Sequence, residues 1–235
     1  MKAWTIAELL KVSAEYLKEK GIDSPRLSAE ILLAHQLHVP RINLYLRYDQ
    51  PLTDPEVEGY RALIRRRLSR EPVQYITGTQ EFWSMTFAVE PPVLIPRPET
   101  EVLVEQALVL RQENPSLQRE GVRLLDLGTG CGVLAVTLAR EFEKALICAT
   151  DLSEEALQVA RRNAERLGVK ERIDFRCGDW FAPFAGDATR FDMILSNPPY
   201  LSTEAMETLS PEVRDHEPRS ALDGREQGMV HIHRI

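Results

Sequence analysis

The sequence predicts an α/β protein in which a doubly wound parallel sheet follows a small bundle of helices. From Val122 onward, short apolar runs alternate with amphipathic helical segments, which is the pattern of strand–helix–strand units with parallel strands. Across the first 70 residues, apolar side chains instead recur at helical spacing. We therefore expect a helical domain over residues 1–71, a hairpin and linker over 72–98, and an α/β domain over 99–235.

Four helices are expected in the first domain. Thr5 and Glu8 have the spacing of a capping box at the start of the first helix, and Gly21 marks its end. Ser24 is the expected cap of a second helix, which runs from Pro25 to residue 37. The other two helices are expected near residues 42–46 and from residue 54 onward.

Four strands with helices between them are expected in the α/β domain. The predicted strands cover residues 122–127, 145–150, 173–177 and 191–196. The predicted helices cover residues 99–110, 133–143 and 153–167. β-Prone residues and prolines between residues 72 and 98 indicate the hairpin and an extended connector.

Composition and charge limit the classes of function. No stretch approaches the roughly 18 apolar residues of a membrane span, and the N-terminus lacks the apolar block of a signal peptide. The three cysteines show no zinc-type pairing, so we expect a reduced, cytoplasmic protein without a bound metal. Residues 1–90 carry 12 basic and 12 acidic side chains, so the whole net charge of −7 comes from the residues after 90. A surface that binds duplex DNA is normally basic, so this acidic region argues against one.

The fourth helix carries the main basic cluster of the chain. The cluster consists of Arg61, Arg65, Arg66, Arg67 and Arg70. Its ordinary interpretation is the solvated face of a helix, and the alternative is a contact with a phosphate backbone or an acidic partner. Both interpretations stay open at this point.

A glycine-rich turn joins the first strand of the α/β domain to its helix. Gly128, Gly130 and Gly132 give the pattern G-x-G-x-G, which lacks the last glycine of the dinucleotide-binding pattern G-x-G-x-x-G. Such glycines let the backbone approach a ligand closely. Asp151 ends the second strand about 20 residues later, where a carboxylate can hold two ribose hydroxyls. The combination favours a cofactor such as S-adenosylmethionine over a purely structural turn.

Asp179 and Trp180 directly follow the third strand. In this topology the end of that strand borders an adenine, so Asp179 can accept a hydrogen bond from the adenine amino group while Trp180 covers one face of the ring. Alone, this dipeptide is equally compatible with a helix cap and a surface aromatic. Ligand-type residues at three successive strand ends favour the cofactor site.

The fourth strand ends in Ser-Asn-Pro-Pro-Tyr, residues 196–200. Open α/β sheets bind ligands outside the carboxyl ends of their strands, which places this segment beside the expected cofactor. The side-chain oxygen of Asn197 and the carbonyl of Pro198 can each accept one N–H of a planar amine or amide, and Tyr200 can stack on it. These groups suit methyl transfer to nitrogen. In such a reaction, holding the two reactants in the correct relative position contributes roughly 7–11 kcal/mol, which is more than a single hydrogen bond contributes, about 0.5–1.5 kcal/mol. Alone, the segment also fits an ordinary proline-rich loop.

Several motifs in this order resemble a known family. "LDLGTGCG", "ATDLS", "GDW" and "SNPPY" resemble amino-methyltransferases that use S-adenosylmethionine and have a Rossmann-like fold. "EPVQYITGTQEFW", "LIPRPETE" and "EPRSALDG", together with the helical N-terminal domain, look more narrowly like the peptide-chain release factor glutamine methyltransferase family. Members of that family methylate the side-chain amide of the glutamine in the GGQ motif of class I release factors.

The resemblance implies roles for the matching residues. The implied cofactor contacts are Gly128, Thr129, Gly130, Cys131, Gly132, Asp151, Asp179, Trp180 and Asn197. The implied catalytic residues are Asn197, Pro198 and Tyr200, and the implied substrate contacts are Asn197, Pro198, Pro199, Tyr200, Arg97 and Glu101. The helical domain would recognise the release factor. The protein would act as a cytoplasmic monomer, without binding a membrane or nucleic acid.

The C-terminal region departs from the family pattern. Family chains continue with further strands beyond the segment that matches "GMVHIHRI", so we expect this chain to lack C-terminal strands of the sheet. "REQGMVHIHRI" also differs from the acidic, glycine-containing run of the family. His231 and His233 lie two residues apart in this segment, a spacing that does not favour a metal site.

Two other functions are compatible with the sequence. A DNA adenine-N6 methyltransferase would use the same Asn-Pro-Pro-Tyr segment, because adenine also presents a planar amine, but no base-flipping or target-recognition segment is evident. A non-catalytic cofactor-binding fragment would follow from the missing strands. We expect the glutamine methyltransferase, because the flanking motifs point to glutamine.

Overall fold

The computed structural model describes residues 4–235, which form two compact units. The helical unit contains the residues up to Gly78 together with Pro211–His216, and the sheet unit contains Thr79–Ser210 and Glu217–Ile235. Residues 1–3, with which the predicted helical domain begins, lie outside the described residues. The predicted domain boundaries after residues 71 and 98 stay predictions.

Ten α-helices and six strands occur within the described residues. The helices are α1 (Ile6–Glu19), α2 (Pro25–Leu37), α3 (Ile42–Leu46), α4 (Asp54–Leu68), α5 (Val73–Thr77), α6 (Glu101–Glu113), α7 (Val133–Glu141), α8 (Glu154–Arg166), α9 (Thr203–Glu207) and α10 (Pro211–His216). The strands are β1 (Thr79–Phe82), β2 (Met85–Ala88), β3 (Arg123–Leu127), β4 (Leu146–Asp151), β5 (Ile173–Cys177) and β6 (Met193–Ser196). Between residues 4 and 235, no helix has both the length and the apolar character needed to cross a membrane.

The first helices begin differently from one another. At α1 the predicted capping box is confirmed, because Glu8 N donates to Thr5 Oγ1 (3.3 Å) and Thr5 N donates to the Glu8 carboxylate (3.2 Å). At α2 the predicted start at Pro25 and the cap position of Ser24 are confirmed, and Ser28 N donates to the Ser24 carbonyl (2.9 Å). Ser24 has a left-handed backbone (φ 47°) and its side chain makes no capping hydrogen bond, so the fixed φ of Pro25 favours the start of the helix.

Part of the predicted hairpin and linker segment is helical. Val73–Thr77 forms α5, which begins after Pro72 and ends at Gly78 (φ 72°). The strand-like residue types of this stretch are overridden by these two boundary residues and by burial of Tyr75 and Ile76. The expected hairpin follows as the antiparallel pair β1–β2.

The basic cluster of α4 is paired with carboxylates inside the helical unit. Arg66 contacts Glu71 at 2.5 Å, and Arg67 and Arg70 both contact Glu212 of α10, at 2.9 and 3.4 Å. Arg67 is buried, which a fully solvated helix face would not contain. The cluster therefore serves mainly to join α4 to neighbouring segments of its own unit.

The sheet unit is built on a parallel sheet with the strand order β5-β4-β3-β6. The connections from β3 to β4 and from β4 to β5 run through α7 and α8, and the chain then returns to place β6 on the other side of β3. The predicted α/β fold with a parallel sheet is confirmed. The strand order reverses at β3, and ligands of open α/β sheets bind outside the carboxyl ends of strands at such a point.

The central strand β3 is buried on both faces. Leu125 and Leu127 pack with aromatic residues of the connection between β5 and β6, Trp180 among them. Asp126 points to the opposite face, because side chains alternate along a strand, and it accepts a hydrogen bond from Ala135 N in α7. The end of β3 is thus fixed by packing on one face and by a polar contact on the other.

Candidate cofactor and substrate site

The carboxyl ends of the parallel strands are joined to one another by hydrogen bonds. Gly128 N, in the glycine turn after β3, donates to the Thr150 carbonyl of β4 (2.9 Å). On the other side, the Ser196 hydroxyl at the end of β6 donates to the Leu127 carbonyl (2.8 Å). These bonds hold the turns that follow the strands at one edge of the sheet.

A cavity of about 260 Å³ opens at this edge. Ten predicted site residues line it, namely Gly128, Thr129, Gly130, Cys131, Asp151, Asp179, Trp180, Asn197, Pro198 and Pro199. Four others are not among the lining residues, namely Gly132, Tyr200, Arg97 and Glu101. The structure therefore brings together the strand-end residues, and the individual binding roles stay predictions.

The three glycines of the turn all have positive φ angles, but their surroundings differ. A Cβ atom on Gly130 (φ 56°) would meet no atom within 4 Å, so its backbone faces open space. A Cβ atom on Gly132 (φ 87°) would lie 3.0 Å from Ala160 Cβ, so this glycine allows α7 and α8 to approach closely. Gly130 is the position where the backbone can approach a ligand.

Asp151 is held by backbone N–H groups rather than by a cation. Gly130 N donates to its Oδ2 and Ser153 N to its Oδ1, both at 2.9 Å, and no basic side chain within residues 4–235 forms an ion pair with it. Burial raises the pKa of the carboxyl group, and hydrogen bonding by the backbone N–H groups of Ser153, Gly130 and Leu152 opposes that shift. Each carboxylate oxygen retains a lone pair, so Asp151 can still accept two hydroxyl groups from a ligand in the cavity.

Asp126 supports the glycine turn from beneath, and the sequence reasoning missed it. Its Oδ2 accepts from Thr129 Oγ1 (2.6 Å) and Ala135 N (3.0 Å), while its buried Oδ1 has no partner within the described residues. The side chain is fully buried, which raises the pKa of the carboxyl group to about 7. A carboxylate within the apolar run "LLDLG" was the signal that could have identified it.

Asp179, Trp180 and His231 lie at another part of the cavity wall. The ring centroids of Trp180 and His231 are 5.5 Å apart and tilted by 44°, and Arg234 donates to the Asp179 carboxylate. His231 Nδ1 is buried and has no hydrogen-bond partner in the described part of the chain. No function for His231 was predicted, because its contact with Trp180 joins segments that are far apart in the chain.

The segment after β6 presents Asn197 and two prolines to the cavity. Asn197 Nδ2 donates to Thr100 Oγ1 (3.2 Å), which leaves the side-chain oxygen of Asn197 available to another group. Pro198 and Pro199 line the cavity beside it. Tyr200 is 57% exposed, and its predicted stacking role stays a prediction.

The segment "EPRSALDG" and the glycine that follows it pack against the backbone after Pro199. Leu201 N donates to the Leu222 carbonyl (3.0 Å), and Gly224 N donates to the Leu201 carbonyl (2.8 Å). A Cβ atom on Gly228 (φ 73°) would lie 2.1 Å from the Tyr200 carbonyl oxygen, a distance that is sterically impossible. Only glycine fits at position 228 with this backbone, so these residues fix the path of the loop that carries Asn197.

Arg97 and Glu101 make their side-chain contacts with residues outside the cavity lining. Arg97 pairs with buried Glu217 (2.6 Å), which also accepts from Ile95 N (3.1 Å). Glu101 accepts from Trp83 N (2.7 Å). Their predicted roles in substrate binding stay predictions. Thr100, which lies between them, is the residue of this stretch that touches Asn197, and the sequence reasoning did not single it out.

Two family models match the sequence. The model described as PrmC N-terminal domain matches residues 8–78, and the model described as Methyltransferase small domain matches residues 103–212, which include β3 to β6. Among solved structures, a SAM-dependent methyltransferase from Geobacter sulfurreducens in complex with S-adenosyl-L-homocysteine is 34% identical, covers 35% of this chain and 30% of its own, and has a TM-score of 0.28.

Curated relatives cover almost the entire chain. The release factor glutamine methyltransferase of Chlorobaculum tepidum is 46% identical over 223 residues, which are 94% of this chain and 76% of that protein. The release factor glutamine methyltransferase of Geobacter sulfurreducens is 45% identical over 226 residues, which are 96% of this chain and 76% of that protein. The sequence resemblance is confirmed, and the chain belongs to the release factor glutamine methyltransferase family.

Proposed function

We propose that this protein transfers a methyl group from S-adenosylmethionine to the side-chain amide nitrogen of a glutamine, that of the GGQ motif of class I release factors. The product is N5-methylglutamine, and the enzyme is a protein-(glutamine-N5) methyltransferase. One observation carries this proposal. Asn197 and Pro198, which suit a planar NH2 group, line the same cavity as the glycine turn and Asp151, which suit the cofactor.

The chemistry of the cavity wall fits S-adenosylmethionine. Gly130 leaves open space for close approach, Asp151 has free lone pairs for ribose hydroxyls, and His231 has an unpartnered ring nitrogen beside Trp180. No lysine or arginine occurs among the described residues that line the cavity, whereas two carboxylates do. Asp179 is paired with Arg234, but Asp151 has no basic partner within residues 4–235, so a positively charged sulfonium is favoured over a pyrophosphate beside Asp151.

The side chains around Asn197 have to orient a poor nucleophile. An amide nitrogen delocalises its lone pair, and Asn197 Oδ1 and the Pro198 carbonyl can accept its two N–H groups and direct the nitrogen towards the methyl group. S-Adenosylmethionine supplies the methyl group on sulfur, and the electron pair of the broken C–S bond stays with the sulfur. The new C–N bond makes the nitrogen acidic, so its surplus proton leaves to water without a strong base. Holding the amide nitrogen in the correct position relative to the methyl group supplies most of the rate enhancement.

The DNA adenine alternative has less support. Methylation of adenine in a duplex requires a surface for phosphates, and the cavity wall carries Asp151 and Asp179 but no cation among its described residues. The positive cluster of α4 is engaged with carboxylates of its own unit, for example Arg67 with Glu212. We therefore propose that nucleic acid is not a partner.

The helical unit is the proposed recognition surface for the release factor. It contains the residues that match the PrmC N-terminal domain, outside the part that matches the methyltransferase domain. A second recognition surface is required because a single glutamine side chain cannot distinguish one protein from another. We further propose that the enzyme acts as a monomer in the cytoplasm, where translation terminates.

A competition assay tests the proposed function. The protein is incubated with labelled S-adenosylmethionine, a class I release factor and duplex DNA in one reaction, and we expect label in the release factor only. Asn197→Ala should lower transfer on the order of 100-fold, because the amide nitrogen loses its placement. Asn114→Ala, the same change at an exposed residue outside the cavity, serves as the control and should retain full activity.

Three outcomes would contradict the proposal. Label in DNA alone would favour the adenine methyltransferase. Full activity of Asn197→Ala would exclude its role in holding the amide. A calorimetric titration of the wild-type protein with S-adenosylmethionine that gives no heat would favour the non-catalytic alternative, whereas we expect binding that Asn197→Ala weakens at most several-fold.

A further inference from the structure

The Asn197 amide has a side-chain partner that the proposed reaction does not yet explain. Its Nδ2 donates to Thr100 Oγ1 at 3.2 Å, and both residues line the cavity. Thr100 is only 6% exposed. It lies at the start of α6, yet its side chain makes no capping hydrogen bond there. The hydroxyl is therefore available for Asn197.

The orientation of an asparagine amide matters at this position. Its two ends have nearly the same shape but opposite hydrogen-bonding character, since one accepts and the other donates. Rotation about the last side-chain bond is broad and roughly two-fold, so rotation alone does not select one orientation. If Nδ2 faced the cavity, it would meet the NH2 group of the glutamine substrate and place two donors against each other.

We propose that Thr100 is a positioning residue that keeps Asn197 Oδ1 directed into the cavity. This inference rests on the proposed function, because it assigns Asn197 the task of accepting an N–H of the substrate. The hydrogen bond from Nδ2 to Thr100 Oγ1 holds the amide in the orientation in which the oxygen is presented. Thr100 acts through Asn197 and needs no contact with the reacting atoms.

The backbone that carries Thr100 is itself braced. Thr100 N donates to the Arg97 carbonyl (3.0 Å), and the Arg97 side chain pairs with Glu217 (2.6 Å). Glu217 also accepts from Ile95 N (3.1 Å), so one buried carboxylate fixes the segment at two points. The motif "PRPET" therefore presents the Thr100 hydroxyl on a segment whose position is well defined.

Kinetics of matched variants test the proposal. Thr100→Val removes the hydroxyl and keeps the shape, and we expect kcat to fall on the order of ten-fold, the effect of losing about one hydrogen bond, with the affinity for S-adenosylmethionine unchanged. Thr100→Ser keeps the hydroxyl and should restore kcat to within about two-fold. Thr137→Val makes the same change at a buried threonine outside the cavity wall and should leave kcat unchanged.

A double variant separates positioning from a general structural effect. In the background of Asn197→Ala, Thr100→Val should cause no further loss of activity, because the residue through which it acts is absent. An undiminished kcat in Thr100→Val would overturn the proposal. A further loss in the double variant, or a loss of cofactor affinity and thermal stability that accounts for the lower kcat, would also overturn it.

A measurement without turnover keeps this inference separate from the proposed function. In 15N-labelled protein, the side-chain NH2 signals of Asn197 are assigned by their loss in Asn197→Ala. In the wild type and in Thr100→Ser, we expect the heteronuclear NOE of the Asn197 NH2 group to be that of a rigid group. In Thr100→Val, we expect it to be that of a mobile group. A mobile NH2 group in the wild type would contradict the role of Thr100. If the group is rigid but no release factor is methylated, the proposed function fails and the positioning contact stands.

Discussion

The two edges of the parallel sheet use their carboxylates in opposite ways. At the amino edge, Asp192 accepts a hydrogen bond from Arg123 N (2.9 Å) and pairs with the Arg119 side chain (2.8 Å). At the carboxyl edge, Asp151 accepts only backbone N–H groups and has no basic partner within residues 4–235. Asp192 at the amino edge has its charge satisfied internally, whereas Asp151 at the carboxyl edge leaves acceptors open to a ligand even though Asp179, at the same edge, is paired with Arg234.

The pKa values of these carboxyl groups follow the same division. The hydrogen bond from Arg123 N and the Arg119 guanidinium lower the pKa of Asp192. Burial raises the pKa of Asp151, and it raises that of Asp126 to about 7. An unpaired buried carboxyl group costs stability, so its presence at one edge alone indicates a function for that edge. The lack of a basic partner at Asp151, more than the presence of an acidic residue, identifies the candidate ligand site.

The largest contrast between the edges is expected for two glycines. Gly228→Ala, at the carboxyl edge, places a Cβ atom 2.1 Å from the Tyr200 carbonyl oxygen, so the loop that carries Asn197 has to move. Displacement of about 1 Å can cost on the order of 100-fold in rate, and we expect a loss of transfer of that size in kcat/KM. Gly121→Ala, at the amino edge, has a similar φ (74°) and no atom within 4 Å of its Cβ. It should cost about 1–2 kcal/mol of stability and retain full activity. Equal activity of the two variants would break the comparison.

A smaller contrast is expected for two aspartates. Asp151→Asn removes the charge that holds the ribose hydroxyls, and we expect the affinity for S-adenosylmethionine to fall roughly 10- to 100-fold, the effect of weakening a charged hydrogen bond. Asp192→Asn breaks an exposed ion pair and should leave that affinity unchanged. Isothermal titration calorimetry measures both. An equal loss of affinity in the two variants would mean that the amino edge also serves the ligand.

A third contrast concerns the pH dependence of the free energy of unfolding. Asp126 has a folded-state pKa of about 7, above its ordinary value of 3.8, so between these values the folded protein holds a proton that the unfolded chain has released. The free energy of unfolding should therefore fall as pH rises from about 4 to 7, by up to about 1.4 kcal/mol per pH unit from this group. Asp192, whose pKa is lowered, contributes stability above its unfolded pKa that is lost as pH falls.

Urea denaturation over this pH range separates the contributions. Asp126→Asn keeps an acceptor for Thr129 and Ala135 but does not titrate, so its stability should fall less steeply with rising pH than that of the wild type. For Asp192→Asn, a change in slope of the opposite sign is expected only near and below the ordinary pKa of 3.8, so the titration is extended to lower pH for that variant. If the slopes of wild type and Asp126→Asn coincide, the buried carboxyl group is already ionised at low pH and the interpretation of Asp126 is wrong.

The sequence was sufficient where local pattern determines structure. The strands β3 to β6 and the residues at their ends were predicted, because short apolar runs separated by helices dictate parallel strands whose ends meet at one edge. The glycine turn and Asp151 were brought together in the cavity for this reason. Asn197 is distant from the glycine turn in sequence but lines the same cavity, because it follows β6 and β6 pairs with β3.

The sequence was insufficient where a contact depends on distant segments. Thr100 touches Asn197 across 97 positions in the chain, and no spacing rule connects them. His231 lies in the cavity wall in contact with Trp180. Its spacing of two residues from His233 does not indicate this contact. At Ser24 the cap position was predicted, but the sequence did not show that a left-handed backbone there would leave the side chain without a capping hydrogen bond.

Mass spectrometry of the methylated product tests the central claim most directly. A class I release factor is incubated with the wild-type protein and S-adenosylmethionine, digested, and the GGQ-containing peptide is fragmented. We predict the mass of one methyl group on the glutamine side chain, none when that glutamine is replaced by glutamate, and none with Asn197→Ala. An unmodified glutamine after incubation with a protein that binds the cofactor, or a methyl group on any other residue, would contradict the account.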